Sequence, residues 1–437
     1  MHEIGLTADQ LSSALLTLSK TEPVSILDSC GVGGASSNLM IAGVGARETA
    51  QLNHPDPDRT LSEFESIIHR EDTAAIFTIS YTLGIKLNGI VSRHKDVGSP
   101  FEPDIFVTSY DSLIVFDYNS QTAFLTGNPL RFHDIERKLI PSTNHEFSSG
   151  QTVVSSNFSR DEYILAIDQI KEYIRRGDTY QTNLTQQIRA EFPGDITPQS
   201  IFSTLRKDHP APFAAFIVRP ASTVVSASPE RFLRWRDGTL TVSPIKGTRR
   251  RGETSSEDLA LRNGLLESDK DRAENVMIVD LLRNDIGRVC KFGSVTVEDL
   301  CKLEVHPSLF HLVSTISGEI RDGITVSDIL RAAFPCGSIT GAPKIRTMQI
   351  IDQIESSARG LSMGAIGWSH FGGQFEIEQT LDMSVAIRTM TIRGRDALFN
   401  LGGGIVIDSD PESEYDETLI KGQALLSAIE GELSPAQ

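Results

Sequence analysis

Lys246 stands in the segment Pro244-Ile245-Lys246-Gly247-Thr248, between a proline that fixes the backbone and a glycine that lets a ligand approach it closely. A lysine presented this way is a nucleophile once it has lost its proton. By itself the pentapeptide is more often just an ordinary solvated lysine. The carboxylates sharpen the question. Asp271 and Glu274 are three residues apart, as are Glu414 and Glu417, so on a helix each pair projects on neighbouring faces. Glu417 and Lys421 are four apart, the spacing of an ion pair on one helix face.

The elements that must hold these groups are legible in the pattern. Ser159-Arg160-Asp161-Glu162 is a capping box, followed by Ile164, Ile167, Ile170 and Ile174 at helical spacing and by Gly177 as a stop. Short strands are predicted over Tyr180 to Ala190, Phe213 to Arg219 and Thr223 to Ser228, with Leu240 to Ile245 leading into the lysine segment. A helix is predicted over Lys270 to Asn284, with Ala273, Met277 and Leu281 lining one side. Leu381, Met383, Val385 and Ile387 alternate with Asp382, Ser384, Ala386 and Arg388, which predicts a half-buried strand with the arginine on its polar face. The next strand carries Gly402, Gly403 and Gly404, and a final helix begins near Glu412. The polar, serine-rich stretch 145–157 reads as a connection between an N-terminal part, 1–145, and a larger part, 155–435.

Composition narrows the function classes. The 437 residues carry 41 basic and 58 acidic side chains, a formal charge of −17 that disfavours nucleic acid as a partner. Cys30, Cys290, Cys301 and Cys336 are sparse and form no Cys-x-x-Cys pair, which suggests reduced thiols and no zinc site. The opening Met1-His2-Glu3 has no signal-peptide pattern and no long apolar run follows, so a cytoplasmic location without a membrane span is expected.

Seven segments in order resemble the chorismate-utilising enzymes over about residues 155–430: Gly177-Asp178-Thr179-Tyr180-Gln181-Thr182-Asn183-Leu184, Ser228-Pro229-Glu230-Arg231-Phe232, the lysine pentapeptide, Ala273 to Asp285, His311-Leu312-Val313-Ser314, Gly337 to Lys344, and Glu414 to Thr418. The resemblance implies an α+β protein with two large, mostly antiparallel sheets packed face to face, helices outside, and a cleft between them as the site. It also implies roles. Lys246 stands where anthranilate-forming members carry alanine and members that make 4-amino-4-deoxychorismate carry lysine. Gln181 replaces the lysine that serves as base in the water-using members, which argues for ammonia as the incoming nucleophile. Glu230 would protonate the departing ring hydroxyl, the alternative being a salt bridge to Arg231.

In the same resemblance Glu274 and Glu417 would bind Mg2+ directly, with Asp271 and Glu414 holding its waters. Arg388, Lys421 and backbone donors around Gly402, Gly403 and Gly404 would take the enolpyruvyl carboxylate, while Gly247, Thr248 and Ser338 would face the ring carboxylate. His311 resembles the histidine beside the ring hydroxyl, or is a satisfied core histidine. Trp368 replaces the usual tyrosine near the enolpyruvyl group, and Gly372 to Glu378 is an insertion at a hairpin tip with no expected effect on chemistry. Ile26 to Ser29 resembles a strand that bounds a tryptophan pocket in relatives, but the stretch Ser37 to Gly43 departs from their pattern. The expected reaction joins chorismate and ammonia, with ammonia supplied by a separate glutamine amidotransferase subunit. The alternatives are an anthranilate-forming enzyme and a non-catalytic aromatic-ligand sensor.

Overall fold

In a computed structural model, residues 1–32, 38–94, 102–141, 152–305 and 309–433 are described. Two antiparallel sheets, of twelve and ten strands among these residues, form the body. The N-terminal strands enter both of them. Val24–Asp28 pairs with Phe213–Arg219 in the first sheet, and Ala74–Ile79 pairs with Ala365–His370 in the second. The sheets stack through Ile41, Val115, Ile217 and Val224 on one side and Ile76, Phe106, Ile366 and Trp368 on the other, all buried. Helices cover the outer faces: Leu11, Leu15, Phe202 and Leu205 pack on the first sheet, and Leu61, Phe64, Ile278 and Leu282 on the second.

This two-sided cover corrects one strand. Leu381 to Ile387 does not have a wet face: the strand is Thr380–Val385 and every residue in it is buried. Asp382 is satisfied inside by the Arg231 guanidinium, through two contacts of 3.0 Å. The chain has left the strand before Arg388, whose φ is +48°. The next strand is Thr389–Arg393, and Gly402 to Gly404 lie one strand later, in Asp396–Ile405.

The helix around Glu274 runs Asp269–Gly287, longer than expected, and packs through Asn275, Ile278, Val279, Leu282 and Ile286. Ala273 is exposed, so the predicted Ala273, Met277 and Leu281 stripe is not the packing face. The helix is rotated so that Asp271 meets the lysine segment. The capping box is present: Ser159 Oγ accepts from the Glu162 N–H, Glu162 accepts from the Ser159 N–H, and the helix runs Arg160–Arg175. The final helix is Pro411–Ala428. Of the 145–157 connection, residues 145–151 lie outside the described residues, and Val153–Ser156 is a strand paired with Gln181–Glu191. The Gly372 to Glu378 segment is anchored at its tip, since Phe375 is buried between the sheets and the Glu376 N–H donates to Thr126 Oγ1 at 2.8 Å. Among the described residues no helix is long and apolar enough to cross a membrane.

One carboxylate offers a stability test. Glu65 accepts from the Val326 and Ser327 N–H groups at 3.1 and 3.2 Å, capping the helix Val326–Ala333 from a neighbouring helix. Burial alone would raise its carboxyl, but the His69 ring and Ser327 donors outweigh that and bring it down to about 2. Because the folded value is depressed, its contribution is present above the ordinary value of 4.5 and disappears as pH falls towards about 2. Glu65→Gln is expected to cost about 1.5–3 kcal/mol at neutral pH. In denaturant unfolding the difference from the unmodified chain should shrink below pH 4.5.

Candidate active site

The site forms where strands of the two sheets meet. Lys246 lies on Ile245–Arg250, which pairs with Leu309–Glu319 through a register shift between Ile245 and Thr248. A bulge of this kind re-aims a side chain. Gly247 sits in it at φ +85°, and a Cβ there would stand 2.9 Å from Leu265 and 3.1 Å from Asp271. Lys246 is turned towards the first sheet: its Nζ is 3.7 Å from where a Cβ on Gly404 would be. Gln181 Nε2 is 2.7 Å from the same point, so a side chain at Gly404 would collide with the amide; the bare glycine backbone is what lets the amine and the amide meet over this strand, at the place called the hollow below.

Gln181 is fully buried, yet neither its Oε1 nor its Nε2 has a hydrogen-bond partner among the described residues. Glu230 Oε1 is likewise buried and without a hydrogen-bond partner among the described residues. Two buried polar groups left open beside one hollow are the signature of a ligand position, since leaving them unsatisfied costs stability. Glu230 stands at the crossing from Ser222–Ser228 in the first sheet to Arg231–Arg236 in the second. Burial pushes its carboxyl up, against the Ser338 hydroxyl, the Lys246 ammonium and the Ile245 N–H, which pull it down. Arg231 is occupied by Asp382, not by Glu230. The carboxyl is therefore suited to keep its proton and give it away.

The four other carboxylates lie opposite. Glu414 is 5 % exposed and accepts from Ser409 Oγ at 2.7 Å, with Lys270 at 3.4 Å. Asp271 pairs with Arg249 at 2.9 Å, and Glu417 pairs with Lys421 at 2.7 Å. Glu274 has no hydrogen bond or ion-pair contact among the described residues. Its carboxyl is raised by burial first, with Asp271 and Glu414 adding to this and Lys246 and Lys270 opposing it. Burial would also raise Glu417, but Lys421 brings it below the ordinary range.

Among the described residues no three acidic, histidine or cysteine side chains converge as a metal cage. The donor set nevertheless fits a cation that takes one or two carboxylates, keeps waters and shares a substrate carboxylate, as Mg2+ does. Glu274 without a partner is the open position in it.

The remaining expected residues divide. Ser338 joins Glu230, and Lys421 reaches Gly402 O at 3.4 Å and lies 3.5 Å from the Cβ position of Gly403. The Arg388 guanidinium has no carboxylate partner among the described residues, burial lowers its pKa, and its carbonyl accepts from the Ala227 N–H near Glu230. His311 is 4 % exposed and its Nδ1 lies 2.8 Å from Thr248 Oγ1, so it holds the strand beyond Lys246. Trp368 is buried between the sheets. It lines a cavity of about 50 Å3 there, with Leu27, Asp28, Ile41 and Phe213. The substitution there bears on inter-sheet packing.

Sequence reasoning missed Lys270, which sits among Glu274, Glu414 and Glu417, and Cys336, whose Sγ is 3.3 Å from Ser338 Oγ. Lys270 follows directly on Asp269 in the first turn of a helix, where a lysine reads as surface, and nothing in the sequence marks it.

Comparison with known proteins follows the same lines. The family of chorismate binding enzymes matches residues 20–427. Anthranilate synthase component 1 of Aquifex aeolicus (strain VF5) is 43% identical over 275 residues, 63% of this chain but only 54% of that protein, so the chain spans about half of this relative's length. Aminodeoxychorismate synthase component 1 of Escherichia coli (strain K12) is 40% identical over 372 residues, 83% of this chain and 79% of the other. The crystal structure of anthranilate synthase component I from Streptococcus pneumoniae TIGR4 superposes with a TM-score of 0.72 at 26% identity, covering 93% of this chain and 90% of that one.

Proposed function

This chain belongs to the family of chorismate binding enzymes, and on that premise we propose that it is an aminodeoxychorismate synthase component 1, which converts chorismate and ammonia to 4-amino-4-deoxychorismate. The observation that carries this reading is the placement of Lys246 Nζ in the hollow beside Gln181 and Gly404, facing Glu230.

The chemistry follows from those positions. The neutral Lys246 amine attacks C2 of the chorismate ring, the two ring double bonds shift towards C4, and the C4 hydroxyl leaves with a proton from Glu230 as water. Ammonia then adds at C4, both double bonds shift back, and Lys246 departs from C2 with the proton that the ammonia gives up. Gln181 carries no basic nitrogen and cannot activate water, so the intermediate waits for ammonia instead of hydrolysing. Arg388 and Lys421 offer cations to the enolpyruvyl carboxylate.

Glu274 and Glu417 would hold a Mg2+ ion, with Asp271 and Glu414 accepting from its waters, and the ion would supply positive charge for the ring carboxylate. In calorimetric titration of Mg2+ into the free protein, Glu414→Gln is expected to weaken binding by about 10–100-fold, the range for removing an outer-shell partner, and Glu274→Gln by more. Unchanged affinity in both variants would remove the metal from this cluster. Ammonia is assigned to a separate glutamine amidotransferase subunit, in keeping with the component 1 designation of the relatives.

Product analysis decides between this reading and its neighbour. Incubation with chorismate, magnesium and ammonium should give 4-amino-4-deoxychorismate; anthranilate fluorescence as the main outcome would make the protein an anthranilate former.

A further inference from the structure

Packed against the Gln181 strand lies an ion pair that the chemistry above does not use. Arg359 and Glu355 have side chains 1 % and 3 % exposed. The Arg359 guanidinium donates in four directions: Nε to Glu355 Oε2 at 2.9 Å, Nη2 to Glu355 Oε1 at 2.7 Å, Nη2 to Asn183 O at 2.6 Å, and Nη1 to Ile339 O at 3.0 Å. Glu355 Oε1 in turn accepts from the Thr185 N–H at 2.8 Å and Thr185 Oγ1 at 2.9 Å. The guanidinium also lies over the Tyr81 ring, 4.8 Å from its centroid.

These partners are not scattered. Asn183 and Thr185 are the second and fourth residues after Gln181 on its strand, and Ile339 directly follows Ser338 in the short 3-10 turn Gly337–Ile339. Stability alone gives little reason to keep such a group: a buried ion pair replaced by packed apolar residues is often neutral or better. A planar fork that grips two backbone carbonyls fixes their separation as well as their orientation, which an apolar replacement cannot do.

We infer that Arg359, braced by Glu355, is a positioning residue of this active site, locking the Gln181 strand and the Ser338 turn at a fixed spacing across the hollow. The inference rests on the reading of that hollow as the chorismate site. Its consequence passes through Ser338, whose hydroxyl holds the Glu230 carboxyl down against burial, while Lys246 and Cys336 are the other titratable groups facing it. If the turn shifts, the hydroxyl withdraws and Glu230 titrates at higher pH. Glu230 acts protonated, so the alkaline limb of kcat moves upward, in the direction that Ser338→Ala moves it.

The test uses Arg359→Lys, which keeps the charge but not the fork, with Ser338→Ala as comparator. Two readouts are followed: chorismate consumption against pH, whatever the product, and the Glu230 carboxyl titration by infrared difference against Glu230→Gln. Arg359→Lys is expected to lower kcat by roughly 10²-fold, as for a misplacement of about an ångström, and to shift both the alkaline limb and the titration upward. Should that variant not fold, Thr185→Val, which removes one hydrogen bond to Glu355, carries the same readouts with a smaller shift. A lower melting temperature with kcat, limb and titration unchanged would show that Arg359 is structural only. If the unmodified protein consumes no chorismate, the functional reading fails separately, and the titration still decides the role of Arg359.

Discussion

Lys246→Ala is expected to stop formation of 4-amino-4-deoxychorismate, with a fall of roughly 10³-fold or more, the scale on which a covalent nucleophile is lost. The fold should survive. Lys246 is half-buried and makes no hydrogen bond or ion-pair contact among the described residues, so truncation is expected to stay within about 1 kcal/mol of the original stability. What changes is the occupant of the space facing C2. With the amine gone, the remaining route is direct addition of ammonia at C2, with the same departure of the C4 hydroxyl. The residual product should therefore carry nitrogen at C2. Retention of normal C4 amination in the variant would remove Lys246 from the mechanism.

Glu230→Gln has the second large effect. The amide keeps the volume and can still donate a hydrogen bond, but it cannot transfer a proton to the leaving hydroxyl. A fall of about 10²–10⁴-fold in kcat is expected, the usual contribution of a positioned general acid, with KM changed far less. A stability signature accompanies it. Burial raises the Glu230 carboxyl in the folded state above its ordinary 4.5, so the folded protein holds a proton that the unfolded chain has released. That proton favours the folded state, and the advantage diminishes as pH rises from 4.5 through the raised folded value. Glu230→Gln lacks this titration and should show a flatter stability profile over that window. Equal slopes would mean that Glu230 titrates as an ordinary carboxyl.

Much of the arrangement was written in local pattern. The capping box at Ser159 and the Phe213–Arg219 strand follow from chemistry confined to a few residues, and they stand where expected. The errors arise where tertiary cover overrides local pattern. Asp382 and Ser384 alternate with apolar residues as on a half-wet strand, yet both are inside, because a guanidinium from another strand satisfies the carboxylate. The Asp269–Gly287 helix presents a weakly amphipathic sequence, and its buried face includes Asn275, held by Ser314 Oγ at 2.5 Å, which no hydrophobic periodicity would select.

The candidate site was read chiefly from segment order. Lys246, Glu230 and Gln181 are separated along the chain and meet only because a bulge, a crossover and a glycine strand converge. Trp368 shows the limit of that method: motif position puts it among the substrate-binding residues, while the surroundings it is seen to have are the cavity it lines with Leu27 and Phe213. Arg359 shows another. Glu355 and Arg359 have the four-residue spacing of a routine helix ion pair, and only the backbone carbonyls around them reveal the clamp.

The central claim is that Lys246 bonds to the substrate, and intact-mass spectrometry of the protein incubated with chorismate and magnesium, without ammonia, tests it most directly. The expected result is a species heavier by one chorismate less one water, mapped by fragmentation to Lys246, absent from Lys246→Ala and discharged on adding ammonium. An adduct of the same mass persisting in Lys246→Ala, or turnover on ammonium addition with no adduct under single-turnover quench, would contradict it.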